Sequence, residues 1–285
     1  MTITAYHRPQ TLEGALALLA RPDATSLPMG GGTILTRKGW APNRESQTGD
    51  PDHGVEIVDL QALGLNTIQI EEDSIRVGAT VTLQTLLDRV AQASFVAQSL
   101  ALARALTLEA SSNLRQVATI AGQLVSADGR SALVTALLAL DVRLNWEPGA
   151  KIISLGNWLP LRSMAPPGAL ITSVSWSRQP VLALEVVGRS PLDRPVVCVA
   201  VAAWPSASAP GGFGRTRVAL GGFGGCPMLV LDGPEPGGAE IAAQSAYSGA
   251  EDAWASAAYR QELAGILTRR ALAEATALQP AGGQS

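Results

Sequence analysis

The chain has 285 residues, 47% hydrophobic and 16% charged, with a net charge of -3. That composition is globular, long enough for about two domains, and not that of a disordered chain. The densest basic points are Arg37-Lys38 and Arg269-Arg270, so the basic stripe of a nucleic-acid binder is missing.

Two cysteines, Cys198 and Cys226, are too few and too distant in sequence for a metal motif or a disulfide framework. A reducing compartment is expected. The two histidines, His7 and His53, have no ligand-spaced partner, which argues against a catalytic metal and against a Ser/His/Asp hydrolase. A basic region followed by a long apolar stretch is lacking at the N-terminus, so no signal peptide is expected. Nor does any run of about 18 apolar residues suggest a membrane span. The expected location is cytoplasmic.

In chain order, Thr11 is an N-cap candidate for a helix with leucines at 12, 16, 18 and 19, ended by Arg21-Pro22. Ser26 to Met29 reads as extended and leads into Gly30-Gly31-Gly32-Thr33 and a helical turn at Ile34 to Arg37. Three glycines can present several N–H donors to an anion without Cβ obstruction. No Gly-Lys-Ser/Thr follows, and the GxGxxG spacing is absent. A plain glycine-rich turn is the other reading.

Lys38 to Gly54 reads as a surface loop. Val55 to Leu60 alternates as a strand. Thr67 to Glu71 and Ser74 to Gly78 form a predicted hairpin. Thr82 caps the next predicted helix, and another runs from about Phe95 to Leu106.

The stretch from Glu109 to Asp141 organises this half. A β-branched run, Val117-Ala118-Thr119-Ile120, reads as a strand meeting a tight Ala121-Gly122 corner. A polar loop at Ser126 to Arg130 and an apolar helix at Ala132 to Leu140 follow. A strand entering a glycine corner before a helix can admit an anionic ligand to the backbone; an ordinary strand–turn–helix connection is the alternative.

Val142 to Trp146 and Lys151 to Ser154 are predicted strands around Glu147-Pro148-Gly149. Pro160, Pro166, Pro167 and Gly168 mark a linker, which divides the chain into domains at 1–165 and 166–285. Beyond it come strands at Leu170 to Trp176, Val181 to Val187, Val196 to Trp204 and Arg215 to Gly221, with a loop at Ser206 to Gly214. Helices follow, notably Trp254 to Ala277, and a frayed QPAGGQS end. The expected fold class is α+β.

Six stretches together resemble the flavin-binding medium subunits of molybdenum hydroxylases, the group of xanthine dehydrogenase and aerobic carbon monoxide dehydrogenase. Gly30-Gly31-Gly32-Thr33 looks like the family's first glycine loop. Ser111 to Leu140 looks like its second flavin loop and the helix behind it. Pro167 to Thr172, Arg189 to Ala200, Val218 to Gly222 and Ser256 to Glu274 are similar to segments of its C-terminal domain. The matches keep their order along nearly the whole chain.

The resemblance implies a two-part α/β FAD-binding domain (PCMH-like) followed by an antiparallel sheet with helices. It implies FAD, with its diphosphate on two backbone loops. The implied cofactor-binding residues are Met29, Gly30, Gly31, Gly32, Thr33, Ile34, Ala118, Thr119, Ile120, Ala121, Gly122, Gln123 and Asp128. The implied partners are a molybdopterin-binding large subunit and a small [2Fe-2S] subunit, with this chain passing electrons to an acceptor through the flavin. No catalytic acid, base or nucleophile is required of it.

The sequence departs from the family pattern at Ile34, where a polar residue is usual, and at Ala121 and Gln123, where glycine and asparagine are usual. Ala132 falls where an acid usually contacts the cofactor, with Asp128 four positions early, and Glu185 falls near the place of a lysine. Those exchanges leave a second reading, a flavin-free structural subunit of the same kind of complex. Arg115 reads equally as a surface or structural ion-pair residue and as one near the cofactor; the Arg189–Asp193 pair, Tyr259 and Arg260 read as structural, and Trp158, Trp176, Trp204 and Trp254 as core or interface residues.

Overall fold

The computed structural model describes residues 2–35, 54–92, 97–190, 193–206, 208–209 and 212–279. The loop expected at 38–54 is outside them except for Gly54. So are His53, the start of the helix expected from Phe95, and the tail from residue 280.

The chain first builds a parallel sheet. Strands β1 (Ile3–His7) and β2 (Thr25–Met29) flank β3 (Val55–Asp59), both parallel to it. Helix α1 (Leu12–Leu19) crosses between β1 and β2. Its N-cap is Thr11, whose hydroxyl accepts from the Gly14 N–H at 3.1 Å. Ala15 and Leu19 then bury against Val58, Leu60 and Leu170.

The next elements are β4 (Ile68–Ile70), β5 (Ser74–Gly78), α2 (Leu83–Ala91), α3 (Ser99–Glu109), α4 (Ser112–Arg115), α5 (Ile120–Ser126) and α6 (Ala132–Ala139). They are followed by β6 (Arg143–Glu147), β7 (Lys151–Ser154), α7 (Leu155–Trp158) and β8 (Leu170–Ser177). The five strands pair antiparallel in the order β4-β5-β8-β6-β7. A third sheet orders β12-β11-β10-β9, all antiparallel, from β9 (Val181–Val187), β10 (Val197–Pro205), β11 (Phe213–Gly221) and β12 (Met228–Gly233). Helices α8 (Ala239–Ala246) and α9 (Ala257–Ala277) close the chain.

This is the α+β architecture expected, and the continuous apolar run of β10 shows how its layers join. Val197, Val199, Val201 and Ala203 face the core under α8 and α9, while Cys198, Ala200 and Ala202 face the core shared with α6 and the five-stranded sheet. A strand buried on both faces has no need of polar alternation. The same position between layers explains α6, all eight of whose residues are buried. A helix apolar all round is one enclosed on all sides. Burial pushes the Cys198 thiol up to about 12, so it packs as a small hydrophobe.

Several local expectations are corrected. Val117 to Ile120 is not a strand. Thr119 makes a single bridge with Thr82 and is the N-cap of α5, so the Ala121-Gly122 corner is the first turn of a helix. The run is β-branched because Thr caps and Ile120 is buried, and a two-residue bridge needs no strand. Helix α3 runs to Glu109, three residues beyond the expected end. The closing helix begins at Ala257 instead of Trp254, because Ser256 supplies its cap. Strand β12 and helix α8 had no distinct sequence signal. The strand opening the second half, β8, hydrogen-bonds to both β5 and β6. We therefore propose that the domain division lies near residue 177 and not at 165.

Candidate cofactor-binding site

Two glycine-bearing segments meet at the wall of one cleft. After β2 the chain turns through Gly30, Gly31 and Gly32, the last with φ +70°. A Cβ on Gly30 would lie 2.6 Å from the Thr119 hydroxyl. A Cβ on Gly31 would overlap the Val117 carbonyl oxygen outright. The first loop thus lies directly on the second, and only glycine permits that approach. The cleft is about 1360 Å³, above the roughly 300–1,000 Å³ of ordinary small-molecule sites and large enough for a dinucleotide.

Of the residues expected to hold the cofactor, Gly30, Gly31, Gly32, Thr33, Ile34, Thr119, Ala121 and Gly122 line this cleft. Met29, Ala118, Ile120, Gln123 and Asp128 do not. Met29 ends β2 and its carbonyl accepts from the Leu60 N–H. Ala118 and Ile120 are buried in the core. Gln123 turns inward and donates to the Glu109 carboxylate. Asp128 pairs with Arg194, Nη1 to Oδ2 at 2.9 Å, and accepts from the Arg130 N–H. Burial works against ionisation of Asp128, yet the Arg194 and Arg130 contacts hold its carboxyl below the usual range. Glu185, on β9, does not line the cleft either.

The two segments differ in what their backbones offer. In the second, the N–H groups of Ala118, Ile120, Ala121 and Gln123 already donate to backbone carbonyls, and that of Gly122 donates to the Thr119 hydroxyl. The first turn of α5 is therefore spent on internal bonds. In the first, the N–H groups of Gly31 and Thr33 have no acceptor among the described residues. The first loop therefore keeps backbone N–H groups open, and the first turn of α5 does not.

Other walls were not legible in the sequence. Trp146 and Trp158 pack with centroids 5.6 Å apart at 53°, and both line the cleft with Arg21, Ser26, Thr80 and Arg162. Arg21 pairs with Glu56, which also meets His7 Nε2 at 3.0 Å. Buried polar atoms without a partner collect here: Arg21 Nε, Ser26 Oγ, Thr80 Oγ1 and the indole nitrogens of Trp146 and Trp158. Unsatisfied buried groups cost about 1–3 kcal/mol each, and native proteins tolerate them mainly where a ligand or water completes the site. A large ligand with both apolar and polar parts fits these walls. The sequence marks Arg21 as a helix stop and Trp158 as a core residue, neither as part of a site. These residues come from four separate segments and share no spacing.

A family model described as the FAD binding domain in molybdopterin dehydrogenase matches residues 2–176. The chain belongs to this family. The match ends within β8, so the family's unit includes the whole five-stranded sheet but the last residue of that strand. The carbon monoxide dehydrogenase medium chain of Afipia carboxidovorans is 27% identical over 289 residues, 95% of this chain and 96% of that one. The uncharacterized protein YgfM of Escherichia coli K12 is 27% identical over 271 residues, 93% of each. Among solved structures, carbon monoxide dehydrogenase from Hydrogenophaga pseudoflava superposes with a TM-score of 0.77 at 19% identity, over 98% of this chain and 99% of that one. Quinoline 2-oxidoreductase from Pseudomonas putida 86 gives 0.73 at 20%, over 97% and 99%. At those identities the likeness is one of fold, and it extends through the C-terminal sheet and helices as well as the family's FAD-binding unit.

Proposed function

We propose that the chain binds FAD in this cleft and acts as the flavin subunit of a molybdenum hydroxylase-type complex. The observation that carries the reading is the seating of Gly31 on the Val117 carbonyl at the wall of a dinucleotide-sized cleft. Bound FAD would supply the redox chemistry, accepting electrons and releasing them to an acceptor. The protein's part is placement. The glycine loop offers N–H donors to the diphosphate, with Gly30, Gly31, Gly32, Thr33 and Ile34 as the proposed contacts. Thr119, Ala121 and Gly122 shape the facing wall, and the tryptophan pair excludes water from one side. Met29, Ala118, Ile120, Gln123 and Asp128 support that wall from behind.

Similarity to a medium chain supports assembly with a molybdopterin-binding large subunit and a small [2Fe-2S] subunit, which would reduce the flavin. Among the described residues no helix is long and apolar enough to cross a membrane, and both cysteines are free; we place the complex in the cytoplasm. Purified protein should be yellow, with flavin absorption bands that leave the chain on denaturation. A colourless protein that FAD cannot reconstitute would return the chain to the flavin-free structural role.

A further inference from the structure

The charge of the cleft wall points to a residue that neither the family match nor the glycine loops assign. Among the described residues of the wall, Arg21, Asp23 and Glu56 belong to the parallel-sheet unit, and Arg21 is already paired with Glu56. Among the described residues, Arg162 is the one charged residue on the remaining walls, the side that carries Thr119, Ala121 and Gly122. It lies in a 3-10 turn, Leu159–Met164, between α7 and β8. Its Nη2 donates to the Gly225 carbonyl at 2.7 Å, and its Nη1 reaches the Leu124 carbonyl at 3.5 Å, the limit of a hydrogen bond. It has no carboxylate within 4.0 Å among the described residues. A guanidinium carries five N–H donors, so most of its donor capacity is uncommitted.

We infer that Arg162 binds a phosphate of the dinucleotide and is the residue that selects a phosphorylated flavin. This rests on the FAD reading above. The need for it follows from the backbone: the N–H groups at the start of α5 are consumed internally, so an anion against that wall has only a side chain to meet. Arginine suits the task because its planar fork can hold two phosphate oxygens. Its anchors also matter. Leu124 is in α5 and Gly225 in the turn between β11 and β12, so the same guanidinium ties the flavin wall to the C-terminal sheet.

The test compares FAD, riboflavin and inorganic pyrophosphate on the full chain, by flavin fluorescence titration at several salt concentrations. Charged hydrogen bonds are worth about 1.5–3 kcal/mol, so Arg162→Gln should weaken FAD binding on the order of 10- to 100-fold. Riboflavin binding should change less than about twofold. Pyrophosphate should compete with FAD on the wild type and compete on the order of 10- to 100-fold more weakly on the variant. Arg162→Lys should recover part of the loss. Equal effects on FAD and riboflavin, or none, would overturn the assignment. Should Arg162→Gln fold poorly, the wild type decides: its FAD affinity must fall with salt while riboflavin affinity does not, and a salt-independent FAD affinity overturns the inference. A wild type that takes up neither flavin overturns the functional reading itself, and this assignment with it.

Discussion

Replacing Gly31 by alanine is the most direct probe of the loop contact. The added Cβ would sit 1.6 Å from the Val117 carbonyl oxygen, against an ordinary contact distance of at least 3.4 Å, so the two segments must part by 3.4 - 1.6 = 1.8 Å. The obstruction is backbone on both sides, and no side-chain rotation relieves it. The stability cost should be that of an overpacked core, about 1–3 kcal/mol, or a fall in Tm of roughly 2–12 °C at about 2–4 °C per kcal/mol. The functional loss should be larger, because misplacement of about 1 Å in a binding constellation can cost on the order of 100-fold. Calorimetry gives the first quantity and FAD titration the second. Gly249→Ala is the control, since a Cβ there meets nothing within 4 Å. A Gly31→Ala protein with wild-type Tm and wild-type FAD affinity would refute the argument that close loop approach builds the site.

Two other perturbations test the frame around the cleft. Arg217, 3% exposed, donates to the Leu138 and Ala139 carbonyls at the end of α6 and pairs with Asp141 and Asp232. Arg217→Met strips those partners, and the cost should be about 3 kcal/mol in urea unfolding, the lower end for breaking a buried pair, because Arg215 still contacts both carboxylates. A loss under about 1 kcal/mol would show that Arg215 alone suffices. Glu109 keeps some exposed surface as a residue, but its carboxylate is enclosed by Gln123, the Ser131 hydroxyl and the Leu133 N–H. Burial raises its pKa above 4.5 against the pull of those hydrogen bonds. A raised folded-state pKa means that its contribution is fully present below the unfolded value and lost as pH rises through the folded one. The wild type should therefore lose stability relative to Glu109→Gln from pH 4.5 upward, and a stability difference that is flat with pH would contradict the assignment.

Much of the frame could be read locally. Thr11 and Thr82 each accept an N–H of the first turn that follows them, and a short polar side chain before an apolar run is a local signal. Val117 to Ile120 failed for a complementary reason. A β-branched run fits a strand, but whether it pairs depends on a partner distant in sequence, and among the described residues only Thr82 is offered.

The sequence by itself determined the caps at Thr11 and Thr82, the hairpin, the apolar helix at Ala132 and the two glycine-bearing segments, because each rests on neighbours within a few residues. Only the tertiary structure decided that those segments touch, that Gln123 and Asp128 turn toward Glu109 and Arg194, and that β8 belongs to the five-stranded sheet. It alone brought Arg21, Thr80, Trp146 and Arg162 to one cleft. Side-chain direction and long-range pairing are set by which layers bury each face, and no short window of sequence contains both layers.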